Sequence, residues 1–197
     1  MLVINLKIKY MNYINEITAY FERLKVAIDK ISKEELNNLM DTLEQARTEG
    51  HTIFVMGNGG SAATASHFCC DFNKGISEMQ GKKFKFICLN DNVPTMTAYA
   101  NDRSYGQIFV GPLRNFLNKG DYVIGISGSG NSGNVINALE YANSHGATTI
   151  GLTGFNGGKI LKICKLNVHI PINDMQITKD LHMILEHCMM KILCNSE

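Results

Sequence analysis

Ile53-Phe-Val-Met-Gly-Asn-Gly-Gly-Ser61 and Tyr122-Val-Ile-Gly-Ile-Ser-Gly-Ser-Gly-Asn-Ser132 share one pattern: a short, continuously apolar run that empties into a loop of glycine and small polar side chains. Ile53–Met56 and Tyr122–Ser127 read as strands buried on both faces, because no polar residue interrupts them at every second position. Phe84–Leu89 and Thr149–Thr153 have the same character, and Asn167–Pro171 reads as a fifth strand. Helical spacing fills the gaps at roughly Ser61–Phe72, Val93–Ala100, Gln107–Leu117, Ser132–His145 and Gly158–Ile163, with a last helix from about Met175 to Cys194. Strand and helix in alternation predict an α/β fold, a five-stranded parallel sheet flanked by helices on both faces.

Upstream, Ile14, Ile17, Phe21, Leu24, Ile28 and Ile31, then Leu36, Leu39, Leu43 and Ala46, fall at helical spacing and predict two helices between Met11 and Gly50. Ser32-Lys-Glu-Glu35 has the spacing of a capping box, in which serine and glutamate each satisfy a free backbone N–H, so the second helix should start near Ser32. Residues 1–50 are thus expected to be a helical segment of the same domain as the sheet-bearing residues 51–197. A length of 197 residues suits one such domain.

Nineteen basic against eighteen acidic side chains leave a formal charge of +1, so no overall field draws the chain to nucleic acid or an anionic membrane. No apolar run approaches the roughly 18 residues that a membrane span needs. The N-terminal MLVINLKIKYMNY is broken by Asn5, Lys7 and Lys9 and does not read as an export signal. Six cysteines without a CxxC pair suit a reducing compartment, and a cytoplasmic location is expected.

In open parallel sheets, ligands bind at the carboxyl ends of the strands, where loops feed helix N-termini. Both loops quoted above occupy that place. Glycines let backbone approach an anion, serine hydroxyls donate to its oxygens, and the helix start adds free N–H groups with partial positive charge. Asn131 stands where the glycine before a Lys-Ser/Thr pair would be and no lysine follows, so this is not a nucleoside-triphosphate loop. Neither loop spells GxGxxG, and no nucleotide cofactor is expected. A phosphomonoester on a small metabolite fits.

Gly57-Asn-Gly-Gly-Ser-Ala-Ala…His67-Phe68, Ala100-Asn-Asp102, Gly125-Ile-Ser-Gly-Ser-Gly-Asn-Ser132 and Leu152-Thr-Gly-x-x-Gly-Gly158 resemble the sugar isomerase (SIS) fold, a flavodoxin-like three-layer architecture, and within it the phosphoheptose isomerases. The resemblance spans nearly the whole chain. It implies conversion of sedoheptulose 7-phosphate to D-glycero-D-manno-heptose 7-phosphate for lipopolysaccharide or capsule heptose, and a homotetramer with sites shared between subunits. Carried over by position, it implies that Asn58, Gly59, Gly60 and Ser61 line the substrate site, that Ser127, Gly128, Ser129 and Ser132 hold the phosphate, and that Asn101 and Asp102 contact the sugar. Asp71 and His187 take the places of the catalytic base and acid. Zinc is implied at His67, Asp71 and His187, the family set being completed by a glutamine.

Two positions depart from that pattern. Asp71 stands where the family has glutamate, which keeps the carboxylate and shortens its reach by one methylene. Lys179 stands where the glutamine should be; a protonated amine cannot ligate a metal but can contact an anionic group of the substrate. Because of these departures a non-catalytic SIS binding or scaffold protein, and an isomerase of another sugar phosphate, stay open beside the isomerase reading.

His67 and Asp71 are four apart and share a helical face, the spacing of an acid/base or metal pair; alternatively His67 is a hydrogen-bonded core histidine. His182 and Glu186 are also four apart, and either pair locally or lend Glu186 to a rearranged site. The ten methionines suit core or a subunit seam, and Lys82-Lys83-Phe-Lys85 reads as a solvated entry to the second strand.

Overall fold

The computed structural model describes residues 12–195. Met11, the expected start of the first helix, and the stretch before it lie outside the described residues. Two helices come first, α1 (Ile14–Asp29) and α2 (Lys33–Glu49). The sheet follows: β1 (Ile53–Gly57), β2 (Phe86–Cys88), β3 (Tyr122–Ser127), β4 (Thr148–Thr153) and β5 (Leu166–His169). Between and after the strands run α3 (Gly60–Cys70), the short α4 (Ser77–Met79), α5 (Val93–Asp102), α6 (Val110–Phe116), α7 (Gly133–Ser144), the one-turn α8 (Ile160–Ile163) and α9 (Met175–Leu193). All pairings are parallel, in the order β2-β1-β3-β4-β5. Strand order therefore reverses between β1 and β3, which opens a crevice at their carboxyl ends.

Both faces of the central strands β1, β3 and β4 are buried, as the uninterrupted apolar runs require, whereas Ile87 of the edge strand β2 is exposed. Ile53 and Val55 of β1, with Ile124 and Ile126 of β3, pack with α2, α3 and α9. The intervening Phe54, Met56 and Val123 pack with α6 and α7 on the other face. Phe68, Phe72, Phe84 and Phe86 form an aromatic cluster under α3, with Phe72 and Phe86 centroids 4.6 Å apart. Rings at such separations contribute beyond the area they bury.

Several boundaries differ from the expectation. The second strand is the three residues Phe86–Cys88 rather than Phe84–Leu89, because Phe84 turns into the aromatic cluster and its N–H donates to Ser77 Oγ at 2.9 Å instead of to a ladder. The stretch expected to be helical from Gln107 begins as a 3₁₀ turn, Tyr105–Gln107, before α6 starts at Val110. The expected helix Gly158–Ile163 shortens to Ile160–Ile163, since Gly157 and Gly158 both have positive φ. The last strand is Leu166–His169 rather than Asn167–Pro171. After Cys70 the chain widens into a π-helix, Asp71–Ile76.

The serine half of the expected capping box forms: Ser32 Oγ accepts from the Glu35 N–H at 3.1 Å. Glu35 does not close it. Its carboxylate accepts from the His169 N–H at 3.0 Å, filling a ladder position that the edge strand β5 leaves open and tying α2 to the sheet. Lys82 and Lys85 are exposed, yet each donates to a carbonyl at the end of α2, Thr48 at 2.6 Å and Gly50 at 2.9 Å, so the basic run holds a helix terminus in place.

Candidate active site

At the end of β1 the chain must turn at once into α3. A Cβ on Gly57 would sit 2.6 Å from the Ser61 carbonyl oxygen, so only glycine admits this approach. Asn90 holds the turn from the side, accepting from the Gly57 N–H at 3.2 Å and donating to its carbonyl at 2.9 Å. Gly59 has φ +55° and ψ −119°, a conformation that side chains disfavour. Asn58 and Asn134 exchange amide hydrogen bonds at 2.8 and 2.9 Å, and the Tyr105 hydroxyl donates to Asn58 Oδ1 at 3.0 Å. Asn58 is therefore clamped. Its clamping partners had no motif to mark them.

The loop after β3 is braced by the loop after β4. Gly154 N–H donates to the Gly128 carbonyl at 2.9 Å, and Ile160 N–H to the Gly130 carbonyl at 3.0 Å. Gly130 has φ +65°, and a Cβ there would fall 2.0 Å from the Gly157 carbonyl oxygen. Ser132 occupies the N-cap of α7 but does not cap it; its hydroxyl lies 2.9 Å from Ser127 Oγ. Capping by serine typically stabilises a helix by about 1 kcal/mol, and here that bond is forgone in favour of a pair of hydroxyls facing the crevice.

Asn58, Ser61, Ser127, Ser129, Ser132 and Lys179 line a cavity of about 210 Å³ together with Gly128. Lys179 comes from the first turns of α9, its stem lying over Gly60, where a Cβ would be 3.1 Å from Lys179 Cδ. It makes no ion pair among the described residues. The crevice thus gathers three serine hydroxyls of one loop, a fourth from Ser61 and one ammonium group, a donor set suited to a phosphate. Asn101 and Asp102 are not in this lining. They end α5, bonded to each other at 2.8 Å, and Asp102 lines a separate cavity of about 240 Å³ with Thr95, Tyr99 and Arg103.

The same two helices that flank the crevice meet again farther along. His67 and Asp71 from α3 and the following π turn, with Glu186 and His187 from α9, place one ligating atom each within 4.8 Å of one another. His67 Nε2 is 3.4 Å from Asp71 Oδ2, 2.9 Å from His187 Nε2 and 3.6 Å from Glu186 Oε2; His187 Nε2 is also 3.6 Å from Glu186 Oε2. The two imidazole rings stand nearly perpendicular, at 86°. Asp71 sits where the α-helix gives way to the π turn, a distortion frequent at functional sites.

Glu186 is fully buried, and neither carboxylate oxygen has a hydrogen-bond partner. Burial pushes its carboxyl up to about 8, and the negative charge of Asp71 adds to the push. It does not pair with His182, whose ring nitrogens are likewise without partners. Burial holds His182 down at about 4. Two imidazoles and two carboxylates converging around an unsatisfied buried oxygen fit a divalent cation. The i, i+4 spacing leaves Glu186 either a local pair with His182 or a place in a rearranged site, and nothing local marks it as buried.

Residues 12–154 match the family model described as SIS domain. Among curated proteins the chain is 36% identical to the phosphoheptose isomerase of Aliarcobacter butzleri over 92% of this chain and 95% of that protein. It is 34% identical to that of Helicobacter pylori over 91% of each. Among solved structures, the phosphoheptose isomerase of Neisseria gonorrhoeae superimposes with a TM-score of 0.85 at 28% identity, covering 92% of this chain and 98% of the other. That of Francisella tularensis gives 0.86 at 24% identity over 94% and 100%, which shows the shared fold. The chain belongs to the SIS domain family, in its phosphoheptose isomerase branch.

Proposed function

We propose that the chain is an aldose–ketose isomerase that converts sedoheptulose 7-phosphate to D-glycero-D-manno-heptose 7-phosphate. The observation that carries this reading is that α3 and α9 each contribute to both sub-sites. Ser61 and His67 are six residues apart on α3, about 9 Å of rise, and Lys179 and His187 are eight apart on α9, about 12 Å. In a linear heptose 7-phosphate the reacting C1–C2 end is likewise far from the phosphate. The serine loop and Lys179 would anchor the phosphate, leaving the other end at the His/carboxylate cluster.

The isomerisation moves one proton from C1 to C2 and one from O1 to O2. The Asp71 carboxylate takes a proton from C1 of the ketose while His187 donates one to O2, giving the enediol; His187 then accepts the O1 proton while the acid form of Asp71 returns its proton to C2. His67, between Asp71 and His187, orients both. Asp71 is shorter than glutamate but still comes within 3.4 Å of His67. A divalent ion held by His67, Asp71 and His187, zinc in the resemblance above, would supply Lewis-acid polarisation of the sugar oxygens.

The outer face of α1 leaves Ile14, Ile17, Phe21 and Val26 more than half exposed, which supports assembly with further copies of the chain. Asn101 and Asp102, exposed and outside the serine crevice, would then contact sugar bound at a site shared between subunits. All six thiols are free, which supports a reducing, cytoplasmic setting.

The test separates anchoring from chemistry. Ser129→Ala should raise KM and spare kcat, while Asp71→Asn should lower kcat by about a hundredfold or more. Unchanged kinetics in both variants would overturn the proposal.

A further inference from the structure

α9 turns a glutamate, not only a histidine, toward α3. Glu186 has no exposed side-chain surface, and both its oxygens lack hydrogen-bond partners. A buried carboxylate is retained as a charge only when another group compensates it. No lysine or arginine pairs with it among the described residues. What faces it instead is two imidazole nitrogens at 3.6 Å, themselves 2.9 Å apart, and the Asp71 carboxylate. Four donor atoms converge with no cation among them, and one divalent ion would satisfy all four at once.

We propose that Glu186 is a metal ligand, completing with His67, Asp71 and His187 a site of two imidazoles and two carboxylates. Lys179 takes no part: its stem crosses Gly60 and it lines the serine crevice instead. One helix thereby redistributes two tasks. The position that would carry a neutral amide ligand carries a cation for the phosphate, and a carboxylate two turns later enters the metal site in its place. Two anionic ligands neutralise a dication, so the bound ion is held more tightly and is a weaker Lewis acid than one with a single carboxylate. The donor set suits zinc, and tolerates manganese or ferrous iron.

The inference deepens the isomerase reading and rests on it for its chemical purpose, but its test needs no sugar phosphate, so failure of one is distinguishable from failure of the other. Metal-stripped full-length protein is titrated with Co²⁺ and, by calorimetry, with Zn²⁺. Wild type should bind one ion per chain, with the visible absorption of a low-coordinate cobalt site. Glu186→Gln should weaken binding by at least about a hundredfold, beyond what loss of an outer-shell partner costs, and change the cobalt spectrum. Without metal, Glu186→Gln should keep the wild-type fold by circular dichroism, and it should lose the thermal shift that metal gives wild type. Wild-type affinity and spectrum in Glu186→Gln, a metal-induced thermal shift of wild-type size in that variant, or absence of stoichiometric binding by wild type would each overturn the proposal.

Discussion

Lys179→Met removes one positive charge from the serine crevice and little else. The methionine keeps an unbranched stem of similar length over Gly60, so the contact that a Cβ there would make with Lys179 Cδ at 3.1 Å marks packing that survives the change. Lys179 is partly exposed, which places its interaction with a phosphate below the several kcal/mol of a fully dry pair and near the roughly 1.5–3 kcal/mol of a hydrogen bond to a charged group. KM for sedoheptulose 7-phosphate should therefore rise about 10- to 100-fold, with kcat within about threefold, because the loss falls equally on ground and transition states. Steady-state kinetics at two ionic strengths, with inorganic phosphate as competitive inhibitor, read the effect directly; the inhibition constant should rise in parallel. A fall in kcat at constant KM, with phosphate inhibition untouched, would show that Lys179 acts at the reacting carbons and would refute the reasoning.

Ser132→Ala should raise KM with little loss of stability, since the hydroxyl caps nothing; a melting-temperature drop equal to that of a lost N-cap would mean that it does. Gly130→Ala should destabilise the fold by more than about 2 kcal/mol, because a side chain meets the Gly157 backbone at a positive φ, and denaturant titration measures it. His182 has a folded-state value of about 4 against 6.5 when free, so the unfolded chain takes up its proton first as pH falls. Its contribution is complete above pH 6.5 and is lost progressively toward pH 4, about 2 kcal/mol between pH 8 and pH 5. Guanidinium midpoints should show that loss in wild type and a smaller one in His182→Leu.

The sheet was legible because its central strands are buried on both faces, and Ile53–Met56 and Tyr122–Ser127 accordingly show unbroken apolar runs. The serine crevice was legible for a related reason: strand ends, glycines and hydroxyls lie consecutively in the chain. Lys179 joined it from a distant helix, and only its place in a resemblance marked the position. The π turn at Asp71 has no compositional signature, since it differs from an α-helix only in which carbonyl each N–H reaches. Glu186 is the residue whose role its sequence context marks least. On an amphipathic helix a glutamate ordinarily faces water, and its burial follows from how closely α3 and α9 pack, which no local pattern encodes. Glu35 shows the same limit: its spacing from Ser32 spelled a capping box, but the open edge of β5 competed for the carboxylate and won.

The most direct measurement is the time course of sedoheptulose 7-phosphate with purified protein, followed by ¹H NMR for the anomeric proton of the aldose. The account predicts accumulation of D-glycero-D-manno-heptose 7-phosphate in wild type and about a hundredfold slower accumulation in Asp71→Asn. Absence of product from protein that calorimetry shows to bind the sugar phosphate, with and without added divalent metal, would contradict it.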